Sequence, residues 1–169
     1  MNEDVRVRVD RFFAASKSLV GGWEWYQSEH VNTMKFRREI AEDGEQHGFR
    51  LEVNAFMGTP RREFRYLVIG LDECICRLDC APTIDGTHIN GPKRPLGLPF
   101  AVECPHFHPW PENRCFSTAK KISDKMPYAV DSPSRIATIQ QGFWVFCGLI
   151  RLSATSADEP DWPSRSSLL

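Results

Sequence analysis

The chain has 169 residues, of which 41% are hydrophobic and 25% are charged, with 21 Lys and Arg against 22 Asp and Glu. A chain of this length can bury a core without metal or disulfide staples, so we expect a single α+β domain over residues 1–152 and a polar C-terminal tail over residues 153–169. The charge balance neither favours nor excludes a nucleic-acid partner. No apolar run is long enough for a membrane span, and the charged start of the sequence is unlike a secretion signal, so we expect a cytoplasmic protein without a membrane partner. Six cysteines in such a chain are more typical of free thiols than of a disulfide framework.

The sequence predicts one amphipathic helix near each end of the chain. The first covers residues 3–19, is capped by Asn2 or Asp4 and ends at Gly21–Gly22. Its apolar residues recur at helical spacing: Val5, Val9, Phe12 and Leu19. The second follows Ser132 as the cap and Pro133 in the first turn. Its apolar face is formed by Ile136, Ile139, Phe143, Phe146 and Ile150.

Between these helices the hydrophobic period changes to two, which is typical of β-strands. Four segments show this period: MKFRREI (34–40), GFRLEVNAF (48–56), EFRYLVIG (63–70) and ECICRLDC (73–80). Trp23–Tyr26 can add a strand before them. Turn-like residues separate the segments, so the pattern predicts an antiparallel meander of about five strands packed with the two helices.

A proline-rich loop over Pro82–Pro99 leads into the segment FAVECPHFHPW (100–110). In an extended strand, Cys104, His106 and His108 share one face. Proline has no N–H for a neighbouring strand, so Pro105 and Pro109 favour an edge strand or a bulged one. Long loops inside compact domains are often functional, which draws attention to this part of the chain.

Three histidines within 21 residues form the first candidate site: His88, His106 and His108. Imidazoles titrate near neutral pH, so two of them can act as general base and general acid. Fixed positive charge stabilises the oxyanion that develops on a phosphodiester, and the candidates for this role are Arg77, Lys93 and Arg94. This combination suits metal-free RNA cleavage, in which the 2′-hydroxyl of the substrate is the nucleophile.

Two other interpretations of the same residues stay open. Cys104, His106 and His108 are donors of the kind that zinc prefers, so zinc is the alternative to a site without a cofactor. Residues on one strand face are about 6.5–7 Å apart, which is wide for ligands of one ion. In the second interpretation, one histidine packs in the core and the other is solvated.

Positive charge is dense between residues 35 and 77. The basic residues are Lys35, Arg37, Arg38, Arg50, Arg61, Arg62, Arg65 and Arg77, and the interleaved aromatics are Phe36, Phe49, Phe64 and Tyr66. A sheet face with both types can bind a nucleic-acid backbone and stack bases. The alternative, which we favour, is a solvated face on which glutamates such as Glu39, Glu52 and Glu63 pair with the cations.

The order Arg77-Leu78-Asp79, His88-x-Asn90 and Pro105-His106-Phe107-His108 resembles the TumE-type toxin family of short prokaryotic proteins. A neighbouring group of uncharacterised bacterial and phage proteins has a similar order, including an Asn two residues after the first His. The resemblance covers residues 75–110. Leu78 stands where the toxin family has an aromatic residue, and Thr87 stands where it has a proline. The resemblance implies a toxin–antitoxin or mobile-element protein with RNA as substrate, and it adds Asn90 to the candidate substrate-binding residues.

The sequence therefore predicts a protein that cleaves RNA through His88, His106 and His108, with Arg77, Asn90, Lys93 and Arg94 binding the substrate. The alternative is a non-catalytic inhibitor from a phage or mobile element that binds a host defence complex. A third class is a zinc-dependent enzyme or a binding protein stabilised by zinc. RNA, an antitoxin or a host defence complex are the corresponding partners, and the sequence does not indicate an oligomeric state.

Overall fold

A computed structural model of the protein describes residues 3–27, 33–56, 63–81 and 86–162. Its helices are α1 (Val5–Ala14), α2 (Trp110–Asn113) and α3 (Ile139–Leu149). Its strands are β1 (Lys17–Gln27), β2 (Thr33–Glu42), β3 (Glu45–Phe56), β4 (Glu63–Gly70), β5 (Glu73–Cys80), β6 (His88–Ile89), β7 (Ala101–Val102), β8 (His106–His108), β9 (Val130–Asp131) and β10 (Leu152–Ser153). The predicted α+β class is confirmed. Within these described ranges, no helix has the length and apolar character needed to cross a membrane.

The main sheet has eight strands in the order β10-β1-β2-β3-β4-β5-β8-β9, and every pairing is antiparallel except that of β1 with β10. The predicted meander is confirmed as β1 to β5. The prediction of about five strands is too low, because three short strands extend the sheet at its two edges. Strands of two or three residues are too short to show a hydrophobic period, which explains why the sequence did not reveal them.

Helix α1 is shorter than the predicted span of residues 3–19. Its cap is Asp4, as predicted, and the Asp4 carboxylate accepts a hydrogen bond from the backbone N–H of Arg6 at 2.9 Å. The helix ends before Lys17, whose buried ammonium donates to the carbonyl oxygen of Phe12 in the last turn at 2.9 Å. This bond satisfies a carbonyl that the helix end leaves without a partner. Leu19 therefore lies in β1 and not in a helix.

Gly21–Gly22 lie inside β1, so the prediction that they end a helix is wrong. The pairing of β1 with β2 shifts in register between Val20 and Glu24. Gly21 has a φ of +71°, which a residue without a side chain adopts easily, and an irregularity in the strand is a typical place for it. The predicted strand at Trp23–Tyr26 is confirmed as the second half of β1.

Helix α3 begins later than predicted. Its cap is Thr138, whose side-chain oxygen accepts a hydrogen bond from the N–H of Gln141 at 3.2 Å, and not Ser132 with Pro133. The residues just before Ser132 belong to β9, which requires extended backbone there. Ile136 is buried but precedes the helix.

Helix α3 lies directly against β4. A Cβ atom on Gly142 would come within 2.6 Å of the Tyr66 hydroxyl oxygen, so this position has no room for a side chain. The Tyr66 hydroxyl donates a hydrogen bond to the carbonyl of Ile139. This contact explains a glycine in the interior of a helix, where it otherwise costs about 1 kcal/mol relative to alanine.

Part of the predicted loop is ordered as a small hairpin. Strand β6 pairs with β7, and the N–H of Asn90 donates to the carbonyl of Phe100 at 2.8 Å. Strand β8 lies between β5 and β9, so of the two predicted alternatives, an edge strand or a bulged one, the edge strand is wrong. Pro105 and Pro109 flank β8 and do not lie in it, which removes their conflict with strand pairing.

The apolar face of the sheet packs against α1 and α3 in one core. Phe12 of α1 stacks on Phe49 of β3 with the ring centroids 4.3 Å apart. The described part of the predicted tail also packs on this core, since the ring of Trp162 lies 5.7 Å from that of Phe143 and 6.0 Å from that of Phe36. The opposite face of the sheet carries the candidate site.

Candidate functional site

Strands β5 and β8 place polar residues opposite one another. Asp79 pairs with His106 and Arg77 pairs with His108, so all four side chains lie on one face of the sheet. Leu78, between the two β5 residues, is buried in the core on the other face. The alternation of the two strands thus produces a polar cluster on an apolar support.

The structure brings all three predicted histidines together. His88 comes from β6, and the centroid of its ring lies 5.4 Å from that of His106 and 4.7 Å from that of His108. The centroids of His106 and His108 lie 5.0 Å apart. The sharing of one face by His106 and His108, predicted from the strand period, has therefore produced a compact cluster together with the preceding loop.

The three rings differ in exposure. His108 is completely buried, His106 is 6% exposed and His88 is half-buried. A cleft of about 190 Å³ opens beside the cluster and is lined by residues that include His88, His106, Asp79, Cys104, Arg65 and Gly86. Because most ligand pockets measure about 300–1,000 Å³, this cleft has room for one small group of a larger substrate. His108 does not line it.

Asp79 supplies negative charge to the cluster. Its Oδ2 atom lies 2.8 Å from Arg77 Nε, 3.2 Å from His108 Nε2 and 3.5 Å from His106 Nε2. Burial alone would raise the pKa of Asp79, but its contacts with the two histidines and with Arg77 outweigh burial and hold this pKa well below its usual range. The other oxygen, Oδ1, is buried 3.6 Å from Arg65 Nε, and no described residue forms a hydrogen bond with it.

The two histidines of β8 are shifted in opposite directions. Burial alone would lower the pKa of His106, but Asp79 and Cys104 outweigh burial and raise this pKa to about 9. Burial lowers the pKa of His108, and the nearby charge of Arg77 lowers it further. At neutral pH, His106 is therefore a cation and His108 is neutral.

Two backbone carbonyls determine which ring nitrogens carry hydrogen. His108 Nδ1 lies 2.9 Å from the carbonyl oxygen of Met126, and His88 Nε2 lies 2.8 Å from that of Pro127. A carbonyl only accepts hydrogen bonds, so these two nitrogens are the donors. In the neutral rings, the lone pairs are then on His108 Nε2, which accepts from Arg77, and on His88 Nδ1.

Two buried asparagines hold the segment that carries these carbonyls. The Asn90 side chain accepts from the N–H of Ala129 at 2.6 Å and donates to the carbonyl of the same residue at 2.8 Å. Asn113 forms the same pair of bonds with Tyr128, at 3.0 and 2.8 Å. Asn90 is 5% exposed and also donates to the carbonyl of Pro99. These bonds give Asn90 a role in positioning the site, and its role in substrate binding stays a prediction.

The predicted zinc set of Cys104, His106 and His108 does not converge on one point. The sulfur of Cys104 lies 3.4 Å from His106 Nδ1. His108 Nε2 instead faces the carboxylate of Asp79, which lies at the Nε2 edge of His106. The thiol and the second imidazole are thus at different edges of the His106 ring.

The group His88, His106 and His108 is closer to a ligand set, because one nitrogen from each ring lies within 4.8 Å of the other two. Nitrogens bound to one tetrahedral zinc are about 3.4 Å apart, since each lies about 2.0–2.1 Å from the ion. However, Arg77 Nη2 lies 3.2 Å from His108 Nε2, so a cation already contacts this nitrogen. A zinc ion there would be repelled at close range. The contacts favour a proton network over a zinc ion.

The three predicted phosphate-binding cations have different surroundings. Arg77 is bound within the cluster, as described above. Arg94 donates to the carbonyls of Leu98 at 2.6 Å and Gly91 at 3.2 Å, so it shapes the loop between β6 and β7. Lys93 is exposed on the same loop. The guanidinium that lines the cleft is instead that of Arg65.

The predicted basic and aromatic face is not a stacking surface. Its four interleaved aromatics are all in the core: Phe36, Phe49, Phe64 and Tyr66. Carboxylates accompany its cations, with Arg37 Nη2 at 2.6 Å from Glu24 Oε2 and Lys35 Nζ at 3.9 Å from Glu52 Oε1. Residues 61–62 lie outside the described residues. The contacts favour the solvated, charge-paired face.

The candidate set from the sequence lacked Asp79, Asn113 and Arg65. Asp79 carried a signal, because it follows Arg77 by two residues and therefore shares its strand face. Arg65 was one of eight residues in the predicted basic stretch, but nothing singled it out, and Asn113 carried no signal. The roles of both depend on contacts between distant parts of the chain. The carbonyls of Met126 and Pro127 belong to the backbone, and no side-chain pattern reports them.

Comparisons of the chain with protein-family models, with curated proteins and with solved structures give no match. The resemblance of residues 75–110 to the TumE-type toxin family therefore stays a prediction. The evidence on function is therefore the geometry of the cleft and the chemistry of its side chains.

Proposed function

We propose that this protein cleaves RNA at phosphodiester bonds by acid and base catalysis, with His106 and His88 as the residues that contact the substrate. The observation that carries this proposal is the placement of the two rings, 5.4 Å apart between centroids, on one open cleft. The resemblance to the toxin family adds a toxin–antitoxin or mobile-element setting to the proposal.

His106 is the general acid. Its pKa of about 9 keeps the imidazolium populated at neutral pH, so it has a proton to donate. The Asp79 carboxylate beside its Nε2 atom stabilises the charge and orients the ring. A positioned acid of this kind typically contributes about 10²–10⁴-fold to the rate.

His88 is the general base. Its Nε2–H donates to the carbonyl of Pro127, so Nδ1 of the neutral ring carries the lone pair that accepts a proton. His88 is half-buried and lines the cleft, which gives a substrate hydroxyl access to the ring. The pair therefore supplies one proton donor, His106, and one proton acceptor, Nδ1 of His88.

An RNA phosphodiester fits this pair because RNA contains its own nucleophile. His88 removes the proton of the 2′-hydroxyl, and the resulting oxygen attacks phosphorus. The bond to the 5′-oxygen breaks, and His106 donates its proton to that oxygen, leaving a 2′,3′-cyclic phosphate. Arg65, whose side chain is 55% exposed, lines the same cleft and stabilises the negative charge of the phosphoryl group.

His108 is a positioning residue in this mechanism. The sequence predicted that His106 and His108 share acid and base duties, but a completely buried ring cannot contact an RNA chain. His108 instead donates to the carbonyl of Met126 and accepts from Arg77, and Arg77 in turn donates to the Asp79 carboxylate, which lies beside His106.

The experiment compares a fluorescent single-stranded RNA with the same sequence as DNA and as 2′-O-methyl RNA. We expect cleavage of the RNA only, with 2′,3′-cyclic phosphate ends seen by mass spectrometry, and the same rate in EDTA. His88→Ala and His106→Ala are expected to lower the rate by about 10²-fold or more. His47→Ala is the matched control, since His47 does not line the cleft and its side chain is 46% exposed.

Cleavage of the 2′-O-methyl RNA, or full activity of both histidine variants, would contradict the proposal. Activity lost in EDTA and restored by zinc would favour the metal alternative. Thermal melting of each variant separates a loss of chemistry from a loss of fold.

A second candidate function is the non-catalytic inhibitor that binds a host defence complex. The observation that favours it is apolar exposure on the β6–β7 hairpin, where Ile89 is 52% exposed, Phe100 53% and Leu96 fully exposed. Exposed apolar residues close together are typical of protein-binding surfaces. A stoichiometric complex with a purified defence component that Leu96→Asp disrupts, with no RNA cleavage by the wild type, would select this candidate.

A further inference from the structure

Cys104 is in contact with the acid of the proposed site. Its sulfur lies 3.4 Å from His106 Nδ1, and the Nε2 atom of the same ring lies 3.5 Å from Asp79 Oδ2. Thiol, imidazole and carboxylate in this order are the arrangement that activates a cysteine nucleophile. Cys104 is half-buried and is one of the residues that line the open cleft.

The other cysteines provide a contrast within the same chain. All six cysteines are free. Burial raises the pKa of four of them, Cys74, Cys76, Cys80 and Cys147, to about 12 for Cys74 and Cys147, so their thiols stay protonated. Cys115 is exposed, and within the described ranges no imidazole contacts it. Cys104 thus combines access to solvent with a basic neighbour.

We propose that Cys104 is a nucleophilic thiol that hydrogen peroxide oxidises to sulfenic acid, and that this oxidation lowers the activity of the histidine site. The first half stands on the contacts of Cys104 alone. The second half rests on the proposed function.

The oxidation of Cys104 needs only the thiolate, hydrogen peroxide and the proton of His106. When His106 is charged, its Nδ1–H donates to the sulfur 3.4 Å away, and this bond stabilises the thiolate form, which is the nucleophile. The thiolate attacks one oxygen of hydrogen peroxide, an S–O bond forms and the O–O bond breaks. Sulfur is oxidised, the peroxide is reduced, and the leaving hydroxide takes the proton of His106 and departs as water.

Oxidation changes the partner of His106. A thiolate stabilises the imidazolium by its negative charge, whereas a sulfenic acid is neutral and larger. His106 then loses one of the two groups that keep it protonated, and the added oxygen takes space in a cleft of only about 190 Å³. Both effects act against substrate cleavage.

The test measures sulfenic acid on the full chain in its native state. The protein is treated with hydrogen peroxide in the presence of dimedone, and mass spectrometry quantifies the adducts at Cys104 and Cys115 in the same sample. We expect Cys104 to react at least about tenfold faster than Cys115. In His106→Gln the rate at Cys104 is expected to fall close to that at Cys115.

Equal rates at Cys104 and Cys115, or an unchanged rate at Cys104 in His106→Gln, would overturn the proposal. Adduct formation at the buried Cys147 reports unfolding, so its level identifies a variant that has lost its fold, and His106→Asn then replaces His106→Gln.

The two halves of the proposal fail separately. The adduct rates do not depend on RNA cleavage, so fast labelling of Cys104 in a protein that cuts no RNA would remove the proposed function and keep the reactive thiol. RNA cleavage that is the same before and after peroxide would overturn the regulatory half. Peroxide sensitivity that persists in Cys104→Ser would assign it to another residue and overturn that half too.

Discussion

One face of the sheet carries two charged regions that the same strands connect. A single row of cross-strand neighbours runs from Glu24 through Arg37, Glu52, Leu67 and Arg77 to His108. At the β1–β2 end, Arg37 and Glu24 form a pair whose side chains are 45% and 67% exposed. At the β5–β8 end, Asp79 is 15% exposed and is shared by one arginine and two histidines.

This difference shows that burial, and not the number of charges, decides how strongly one charged group affects the protonation of its neighbours. Water screens the exposed pair, so the charge of one partner hardly affects the other. In the buried cluster, each group alters the protonation of its neighbours, as the opposite pKa shifts of His106 and His108 demonstrate. Substitutions at the two ends of this row test the contrast.

The largest effect is expected for Asp79→Asn. This change leaves the charges of Arg77 and His106 without their buried partner, and removal of one member of a buried ion pair costs about 3–5 kcal/mol of unfolding free energy. The pKa of His106 is expected to fall from about 9 to its usual range or below, because burial is then less opposed. Urea unfolding and NMR titration measure the two effects. Asp72→Asn is the control, since Asp72 is 97% exposed, and a loss below about 1 kcal/mol in Asp79→Asn would contradict the assignment of a shared anion.

The next effect is expected for Asn113→Ala. The change leaves the N–H and the carbonyl of Tyr128 and the carbonyl of Pro109 without their side-chain partner in a buried place. Each unsatisfied group costs about 1–3 kcal/mol, so we expect a loss of about 3 kcal/mol in urea unfolding. Asn113→Asp places an acceptor oxygen against the carbonyls of Tyr128 and Pro109 in a buried place, so its loss is expected to be at least as large. A loss below about 1 kcal/mol in Asn113→Ala would show that the amide bonds contribute little.

The pH dependence of stability tests the raised pKa of His106. Its pKa is about 9 in the folded protein and about 6.5 in an unfolded chain, so its contribution is complete below pH 6.5 and is lost as the pH rises through 9. His108 has a lowered pKa, so its contribution is complete above pH 6.5 and falls in acid. Between pH 6.5 and 9 we expect His106 to account for a fall on the order of 2 kcal/mol in unfolding free energy.

The control for this window is His106→Gln. Buried thiols also lower the unfolding free energy above about pH 8.5, because they ionise only in the unfolded chain. This decrease is the same in the wild type and in His106→Gln. The difference between wild type and His106→Gln isolates the histidine. Parallel curves from pH 6.5 to 9 would disprove the raised pKa.

The parts of the fold that follow from local patterns were predictable. The alternation of strands β2 to β5 and the Asp4 cap depend on residues that are close in sequence. The end of α1 was not predictable. The Lys17 ammonium donates a hydrogen bond to a carbonyl of the last helical turn, and no local sequence pattern indicates this bond. The start of α3 was also missed, since β9 ends directly before Ser132 and the N–H of Ser132 donates to the distant carbonyl of Pro105, a contact that no local pattern reports.

In the candidate site, too, only the features that follow from local patterns were predictable. The strand period placed His106 and His108 on one face, and the order of motifs suggested His88. Neither pattern indicates how deeply a side chain is buried. The complete burial of His108, which excludes it from contact with the substrate, is therefore seen only in the fold. The orientation of the rings depends on Asn90 and Asn113, whose partners are 39 and 15 residues away in the chain.

The smallest effect is expected at the exposed end of the face. Arg37→Ala removes a pair with Glu24 whose atoms lie as close as 2.6 Å, so distance alone would suggest a strong interaction. Exposed pairs contribute about 0–1 kcal/mol because water and salt screen them, and we expect a change within about 0.5 kcal/mol in urea unfolding that vanishes at 1 M salt. The double variant with Glu24→Ala measures the coupling between the two charges directly. A coupling as large as that between Asp79 and His106 would mean that contact distance, and not burial, separates the two regions.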